Sequence, residues 1–276
     1  GGASSLGTLT HAQLMREAYP GAVYYYMGTP YRVTRVNLRS KTVLTRHERY
    51  YTTQPTFLPP QIFPYLSEDE ILSAWRLGDL RVVETQAQVR EALSGFKERR
   101  GSQQYTVTYP LRAGSDDGGT GLADSVYFGL DRFSRHYFTT AVLLLHPGFD
   151  ESDVELGKLG DLILEAFLFV VPFERQDINV GVDRVRRGTV ARWDADGADT
   201  GARWSAGNGE GLAIPTGARF VALYDQTYGS LRLSGRLAEP AVLREGLSTA
   251  AQMAAKLQGA TLSKRTVEVA EALARA

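Results

Sequence analysis

Between Gly21 and Thr53 the chain reads GAVYYYMGTPYRVTRVNLRSKTVLTRHERYYTT, and this stretch limits what the polypeptide can become. Three runs rich in tyrosine, valine and threonine (22–26, 31–37 and 42–45) are divided by Met27-Gly28-Thr29-Pro30 and Leu38-Arg39-Ser40-Lys41. Aromatic and β-branched side chains favour the pleated strand, and Gly or Pro between short runs predicts tight antiparallel turns. A small curled sheet of SH3-like or OB-like size is therefore expected at residues 10–66. Thr10 caps a short helix before it, running to Ala18, and Pro55, Pro59, Pro60 and Pro64 form a connector after it.

The remaining residues, 67–276, read as a mixed sheet with packed helices. Strands are expected at 79–89, 103–109, 125–130, 138–145 and 218–224, with shorter ones at 178–183 and 188–192. Phe138–Leu145 (FTTAVLLL) has the unbroken apolar run of a buried central strand. From Asp150 to Val171, Leu156, Leu159, Leu162, Ile163, Ala166, Phe167 and Val170 recur at helical steps, with Ser152 or Asp153 as the cap. Pro240–Leu257 and Ser263–Ala276 read as two further helices. Ser67 followed by Glu70 suggests a capped helical turn at 68–75, and GFKERR (95–100) a basic loop. The glycine-rich stretches 112–121 and 194–211 read as loops. The fold class is thus α+β, in two parts.

Composition excludes several functions. The chain has 276 residues and no cysteine, so disulfides, thiolate zinc sites and cysteine nucleophiles are impossible. A cytoplasmic location fits. No apolar run reaches the 18 or so residues of a membrane span, and GGASSLGTLT at the start lacks the features of a secretory signal. The chain starts at Gly1 without Met, so a longer parent protein is expected. No G-x-x-x-x-G-K-[ST] phosphate loop or G-x-S-x-G elbow occurs, and His11, His47, His136 and His146 are not at metal-ligand spacing. No cofactor, metal or catalytic residue is assigned. The acids Asp116, Asp117, Asp194, Asp196 and Asp199 lie in glycine-rich loops and read as solvated.

Charge is what remains. The chain balances 31 Lys/Arg against 31 Asp/Glu, yet between Pro20 and Leu66 six cations (Arg32, Arg35, Arg39, Lys41, Arg46, Arg49) face one acid, Glu48. Seven tyrosines lie close in sequence: Tyr19, Tyr24, Tyr25, Tyr26, Tyr31, Tyr50 and Tyr51. Clustered cations neutralise phosphates and aromatic faces stack on bases, so a nucleic acid is the expected partner, with Tyr25 and Tyr50 as stacking candidates. The alternative is a small tyrosine-packed core with solubilising arginines. Lys97, Arg99 and Arg100 make a second basic group, and Arg184, Arg186, Arg187 and Arg192 a third; each also reads as an ordinary exposed turn.

With these elements placed, the order of motifs resembles the C-terminal region of DEAD/DEAH-type superfamily-two helicases of the mitomycin-repair and yeast RecQ-like type. The likeness lies in Pro20-Gly21-Ala22-Val23-Tyr24, the Gly28 turn, Tyr31-x-Val33 and Tyr50-Tyr51-Thr52. It continues through 78–85, Phe138-Thr139-Thr140-Ala141 to Pro147, and Leu223-Tyr224-Asp225 to Ser230, which match the domain of unknown function that ends those helicases. That family normally closes with four zinc-binding cysteines; this chain has none, so the zinc expectation does not transfer. The resemblance implies a non-catalytic, zinc-free accessory region in a DNA-repair or phage-defence setting. It would bind single-stranded DNA or a duplex junction and work beside a helicase motor in cis or in trans. A protein-interaction scaffold that partners a helicase is the alternative, and a nuclease or hydrolase using Asp225 is a third reading. Asp225 itself reads better as a turn-capping acid.

Overall fold

The computed structural model describes residues 4–67, 70–109, 133–191 and 212–276. In chain order the elements are α1 (His11–Arg16), β1 (Val23–Tyr26), β2 (Thr29–Asn37), β3 (Thr42–His47), β4 (Thr52–Phe57), β5 (Gln61–Pro64), β6 (Ile71–Leu77), β7 (Leu80–Arg100), β8 (Gln103–Thr108) and β9 (Ser134–Leu145). A 3-10 turn at Pro147–Asp150 leads to α2 (Leu156–Val170), β10 (Ile178–Arg184), β11 (Thr189–Ala191), β12 (Leu212–Ile214), β13 (Arg219–Asp225), α3 (Leu233–Leu237), α4 (Pro240–Leu257) and α5 (Lys264–Arg275). The α+β class is as expected. The expected strand at 125–130 and the loops at 112–121 and 194–211 lie outside the described residues, as does Arg192.

Two compact units interleave along the sequence. Unit 1 comprises Gly1–Pro59 and Arg90–Arg135; unit 2 comprises Pro60–Val89 and His136–Ala276. A single cut near Leu66 therefore does not describe the chain. The proline connector does contain one boundary, Pro59/Pro60. The second boundary falls inside β7, whose 21 residues serve unit 2 up to Val89 and unit 1 from Arg90 onward.

In unit 1, β1, β2 and β3 form an antiparallel sheet in that order. Met27 and Gly28 both take positive φ in the β1–β2 turn, as a tight hairpin requires. Thr10 caps α1 in a reciprocal capping box with Gln13. β4 and β8 flank the second half of β7. Pro55 sits inside β4, opposite Phe96, rather than breaking the chain. β4 is the terminal strand of its sheet, where a missing N–H is tolerated. GFKERR is likewise strand, not loop. Its Gly95 (φ +154°) is where the β4–β7 register slips, and a Cβ there would sit 1.9 Å from the Val107 carbonyl oxygen. The glycine that suggested a turn is a bulge in a continuing strand. Leu14, Met15, Tyr19, Val33, Val36, Phe96 and Phe133 pack the core of this unit.

In unit 2, β10, β13, β9 and the first half of β7 lie side by side, with β6 hairpinned onto β7 through Gly78. Of the helical turn expected at 68–75, residues 71–75 belong instead to strand β6, and Glu68 and Asp69 lie outside the described residues. Ser67 does donate to Glu70 Oε2 (2.6 Å), but Ile71, Ala74 and Trp75 are buried against β7 in extended register. Both faces of the sheet are covered. Val142, Leu144, Val221 and Leu223 face the cluster formed with α2, α4 and α5, while Ala141, Leu143, Leu145, Phe220 and Tyr224 face a second cluster. That explains the unbroken apolar run in β9. Helix α2 begins at Leu156, not Asp150, because Pro147–Asp150 winds first as a 3-10 turn capped by His146. Neither Ser152 nor Asp153 caps α2, whose N-cap is Glu155 without a side-chain bond. Among the described residues no helix is long and apolar enough to cross a membrane.

Candidate nucleic-acid interface

The register of the unit 1 sheet sorts the basic residues. Arg32 pairs with Arg46, Arg35 with Leu44, Val23 with Arg32 and Tyr25 with Pro30, and cross-strand partners share a face. A bulge at Thr34 keeps Arg35 on the same face as Arg32. One end of this face is closed. Arg32 is only 3% exposed, and its Nη1 donates to Glu98 Oε2 (2.6 Å) and the Gly21 carbonyl (2.8 Å), while Nε donates to Glu48 Oε2 (3.0 Å). Arg32 is thus spent on an internal ion network and leaves the phosphate-contacting set. The reason is positional: it lies opposite buried Val23, at the covered end of the sheet.

Towards the tip Arg35, Arg39 and Lys41 are exposed, as is Leu44 at 52%; Arg46, opposite Arg32, and Arg49, just past β3, are exposed too. Asn37 Oδ1 accepts from the amides of Arg39 (3.0 Å) and Ser40 (3.1 Å), which fixes the tip between β2 and β3. Glu48, the acid of this stretch, is turned onto Arg32. Burial works to raise its pKa, but hydrogen bonds from the Arg49 amide and Arg32, with the charges of Arg32 and Arg46, bring it below the usual value, so it stays ionised and occupied. Tyr25 is 40% and Tyr50 77% exposed, with ring centroids 6.4 Å apart. Tyr25 donates to the Tyr51 carbonyl (2.8 Å), so its ring is held while its face stays open.

The second basic group divides. Strand alternation puts Lys97 and Arg99 on one face of β7, where both are exposed beside Thr52, Gln54, Gln104 and Thr106. Arg100 falls on the other face. Its guanidinium lies 5.0 Å from the ring centres of both Tyr51 and Tyr105 and pairs with Glu98 Oε1 at 2.5 Å. The Glu98 hydrogen bond raises the Arg100 pKa. Glu98 is 1% exposed; burial would raise its carboxyl, but Arg32 and Arg100 together hold it below the ordinary range. Arg100 is therefore a structural cation, and Lys97 and Arg99 make a surface separate from the Arg32 side of the sheet. Glu98 and Tyr105 were not singled out from sequence, and Tyr51 was read only as one of a tyrosine group. The alternation K-E-R-R inside a strand would have paired Glu98 with Arg100.

In unit 2 the third group is also partly occupied. Arg186 covers the Phe63 ring at 4.1 Å and bonds Asp183 and the Ile62 carbonyl, and Arg184 donates to the Gly217 carbonyl. Asp225, 1% exposed, accepts from the Ser230 hydroxyl (2.7 Å) and the amides of Leu231 (3.0 Å), Leu233 (3.0 Å) and Ser234 (2.8 Å). A carboxylate with four donors braces a loop and is not available to activate water. Among the described residues no group of three or more His, Cys, Asp or Glu can hold a metal.

The charges segregate by unit. Unit 1 contains 14 Lys/Arg and 8 Asp/Glu, whereas unit 2 contains 17 and 23. A balanced chain thus hides a basic unit and an acidic one.

No family model matches the chain, and no curated protein does. Among solved structures, "Crystal Structure of DUF1998 helicase MrfA bound to DNA" aligns over 95% of this chain and 31% of that one, at 14% identity and a TM-score of 0.51. The fold is shared with a DUF1998 helicase. Structures of MrfA with DNA and AMPPNP, and of MrfA alone, each align over the same 95% at 13% identity and a TM-score of 0.43. At such identity the likeness to MrfA is one of fold, and the chain spans less than a third of MrfA's length.

Proposed function

We propose that this chain is a nucleic-acid-binding accessory region of a DNA helicase or helicase-like protein, and that unit 1 makes the contact. The observation that carries the reading is the β2–β3 hairpin: five exposed cations, Arg35, Arg39, Lys41, Arg46 and Arg49, with the neighbouring acid Glu48 turned inward onto Arg32. Exposed Tyr25 and Tyr50 add ring faces at its base. Such a surface neutralises successive phosphates and releases their counterions. Lys97 and Arg99 supply a second, weaker surface. The shared fold with a helicase crystallised on DNA supports the setting. ATP hydrolysis is assigned to a motor outside this chain, since the sequence carries no phosphate-cradling loop with its lysine. DNA repair or phage defence is the proposed context.

Fluorescence anisotropy with labelled single-stranded and junction oligonucleotides at two salt concentrations tests the reading. Binding should weaken with salt, and Arg35→Glu/Lys41→Glu/Arg46→Glu should lower the log–log slope by about 2 at an expected 0.7 per phosphate on single strands. Salt-independent binding, or none at low salt, overturns it. The scaffold alternative rests on Phe169, 79% exposed near the end of α2, and on the acidic balance of unit 2. It predicts that no oligonucleotide binds.

A further inference from the structure

Among the described residues of unit 2, four large apolar side chains are markedly exposed: Phe138, Phe169, Tyr228 and Leu231. Three of them lie on two segments whose backbones meet. Phe138 projects from β9 at 49% exposure, and the Tyr65 ring lies against it with centroids 6.3 Å apart and planes 17° from parallel. The loop carrying Tyr228 (74% exposed) and Leu231 (68%) closes onto the same strand, with the Gly229 amide donating to the Phe138 carbonyl at 2.9 Å and Ser230 meeting Thr140 at 2.6 Å. Soluble proteins seldom leave such a patch without use.

The backbone around these rings is held from several sides. Asp225 ties the loop through its four accepted bonds, and Thr139 donates to the Asp225 carbonyl at 2.8 Å. The Tyr65 amide donates to Gln86 O at 2.8 Å, and Thr85 donates to the Tyr65 carbonyl. Arg232 takes a left-handed backbone (φ +54°), which lets its guanidinium grip buried Glu84 through Nε and Nη2. Gly235 passes so close that a Cβ there would lie 2.5 Å from Glu84 Oε1. Asp225 is thereby more than a turn cap: it fixes a presented surface. Near-parallel rings on fixed backbone present flat faces at little entropic cost, which suits a flat, uncharged ligand.

We propose that Phe138, Tyr65 and Tyr228 form a stacking platform for unpaired nucleobases. The proposal rests on the nucleic-acid reading of unit 1 and adds a second contact of different chemistry, on the unit whose charge balance is acidic. Stacking needs no cation, and every base offers a π-face, so the platform would accept single strands of any sequence and disfavour paired duplex.

The test uses the full chain and a labelled 20-mer of thymidine, beside a duplex of equal length. Phe138→Ala/Tyr228→Ala should weaken single-strand binding about tenfold, in line with stacking on one or two bases, while leaving the salt slope and duplex affinity unchanged. Phe138→Tyr/Tyr228→Phe should restore it. Because both side chains are exposed, thermal unfolding should match the parent chain. A 5-iododeoxyuridine 20-mer irradiated in the complex should crosslink to Tyr65, Phe138 or Tyr228. Unchanged single-strand affinity in the alanine variant, as a protein-docking surface would give, overturns the platform while leaving the basic hairpin standing. So does an equal loss on duplex, or a lowered salt slope. Failure of the parent chain to bind any oligonucleotide overturns the underlying reading instead.

Discussion

At the scale of single residues, the same side chain type does two jobs in unit 1, and burial decides which. Arg32 and Arg46 are cross-strand partners, yet Arg32 is enclosed by Glu48, Glu98 and the Gly21 carbonyl while Arg46 is exposed. Removing one partner of a buried pair leaves an uncompensated charge, typically costing about 3–5 kcal/mol, whereas exposed charges contribute well under 1 kcal/mol. Arg32→Ala should therefore lower the stability of the chain by several kcal/mol in urea unfolding, and Arg46→Ala should leave it nearly unchanged while weakening oligonucleotide binding. The same network sets a pH dependence. Glu98 has a folded pKa depressed by Arg32 and Arg100, so its contribution is present above the unfolded glutamate value of about 4.3 and is lost as pH falls through the lower folded value. Thermal melting followed from pH 7 to pH 3 should show that acid loss, and Glu98→Gln should flatten it.

At the scale of elements, β7 is the instructive case. Its first half, RVVETQAQV, reads plainly as strand; its second half was hidden by Gly95 and four consecutive charged residues. Charge does not forbid a strand when alternate members face water and a buried carboxylate pairs with the inward arginines. Gly95→Ala would push a methyl into the Val107 carbonyl at an extended positive φ that L-residues avoid. The expected outcome is loss of β7–β8 pairing, read as faster amide exchange at Val107 and Tyr109, whose amides point at β7, and a lower melting temperature. Pro55 teaches the complementary lesson. A breaker in the middle of a sheet is an ordinary member of an edge strand, and which strand is an edge depends on partners the local sequence does not name.

At the scale of the whole molecule, the balance of 31 against 31 conceals a division of labour: unit 1 is basic and unit 2 acidic. Long-range attraction of a polyanion should therefore be directed to unit 1 and not spread over the chain. Hydrogen exchange with and without a single-stranded oligonucleotide should show protection of the Leu38–Lys41 tip and the flanking amides of β2 and β3. The amides of α4 and α5 should be unaffected. Protection centred on those two helices would overturn the placement of the contact on unit 1, and no protection anywhere would favour protein docking. Addition of EDTA is expected to leave both melting and binding unchanged, since the contacts invoked are ionic and aromatic.

By itself the sequence determined the elements whose signals are local: the capped α1, the β1–β3 hairpins, the apolar β9, the amphipathic α2 and the helices α4 and α5. It also determined one chemistry that is missing, because a cysteine-free chain cannot supply thiolates. Tertiary structure decided the rest. Only three-dimensional pairing could assign Arg32 inward and Arg35 and Arg46 outward. The same is true of the long β7 shared between two interleaved units, and of Tyr65 laid against Phe138, on the strand that the loop of Tyr228 meets. The physical reason is common to all of these. Propensity and periodicity act over a few neighbouring residues, whereas burial of a charge or exposure of a ring is fixed by partners tens to more than a hundred positions away.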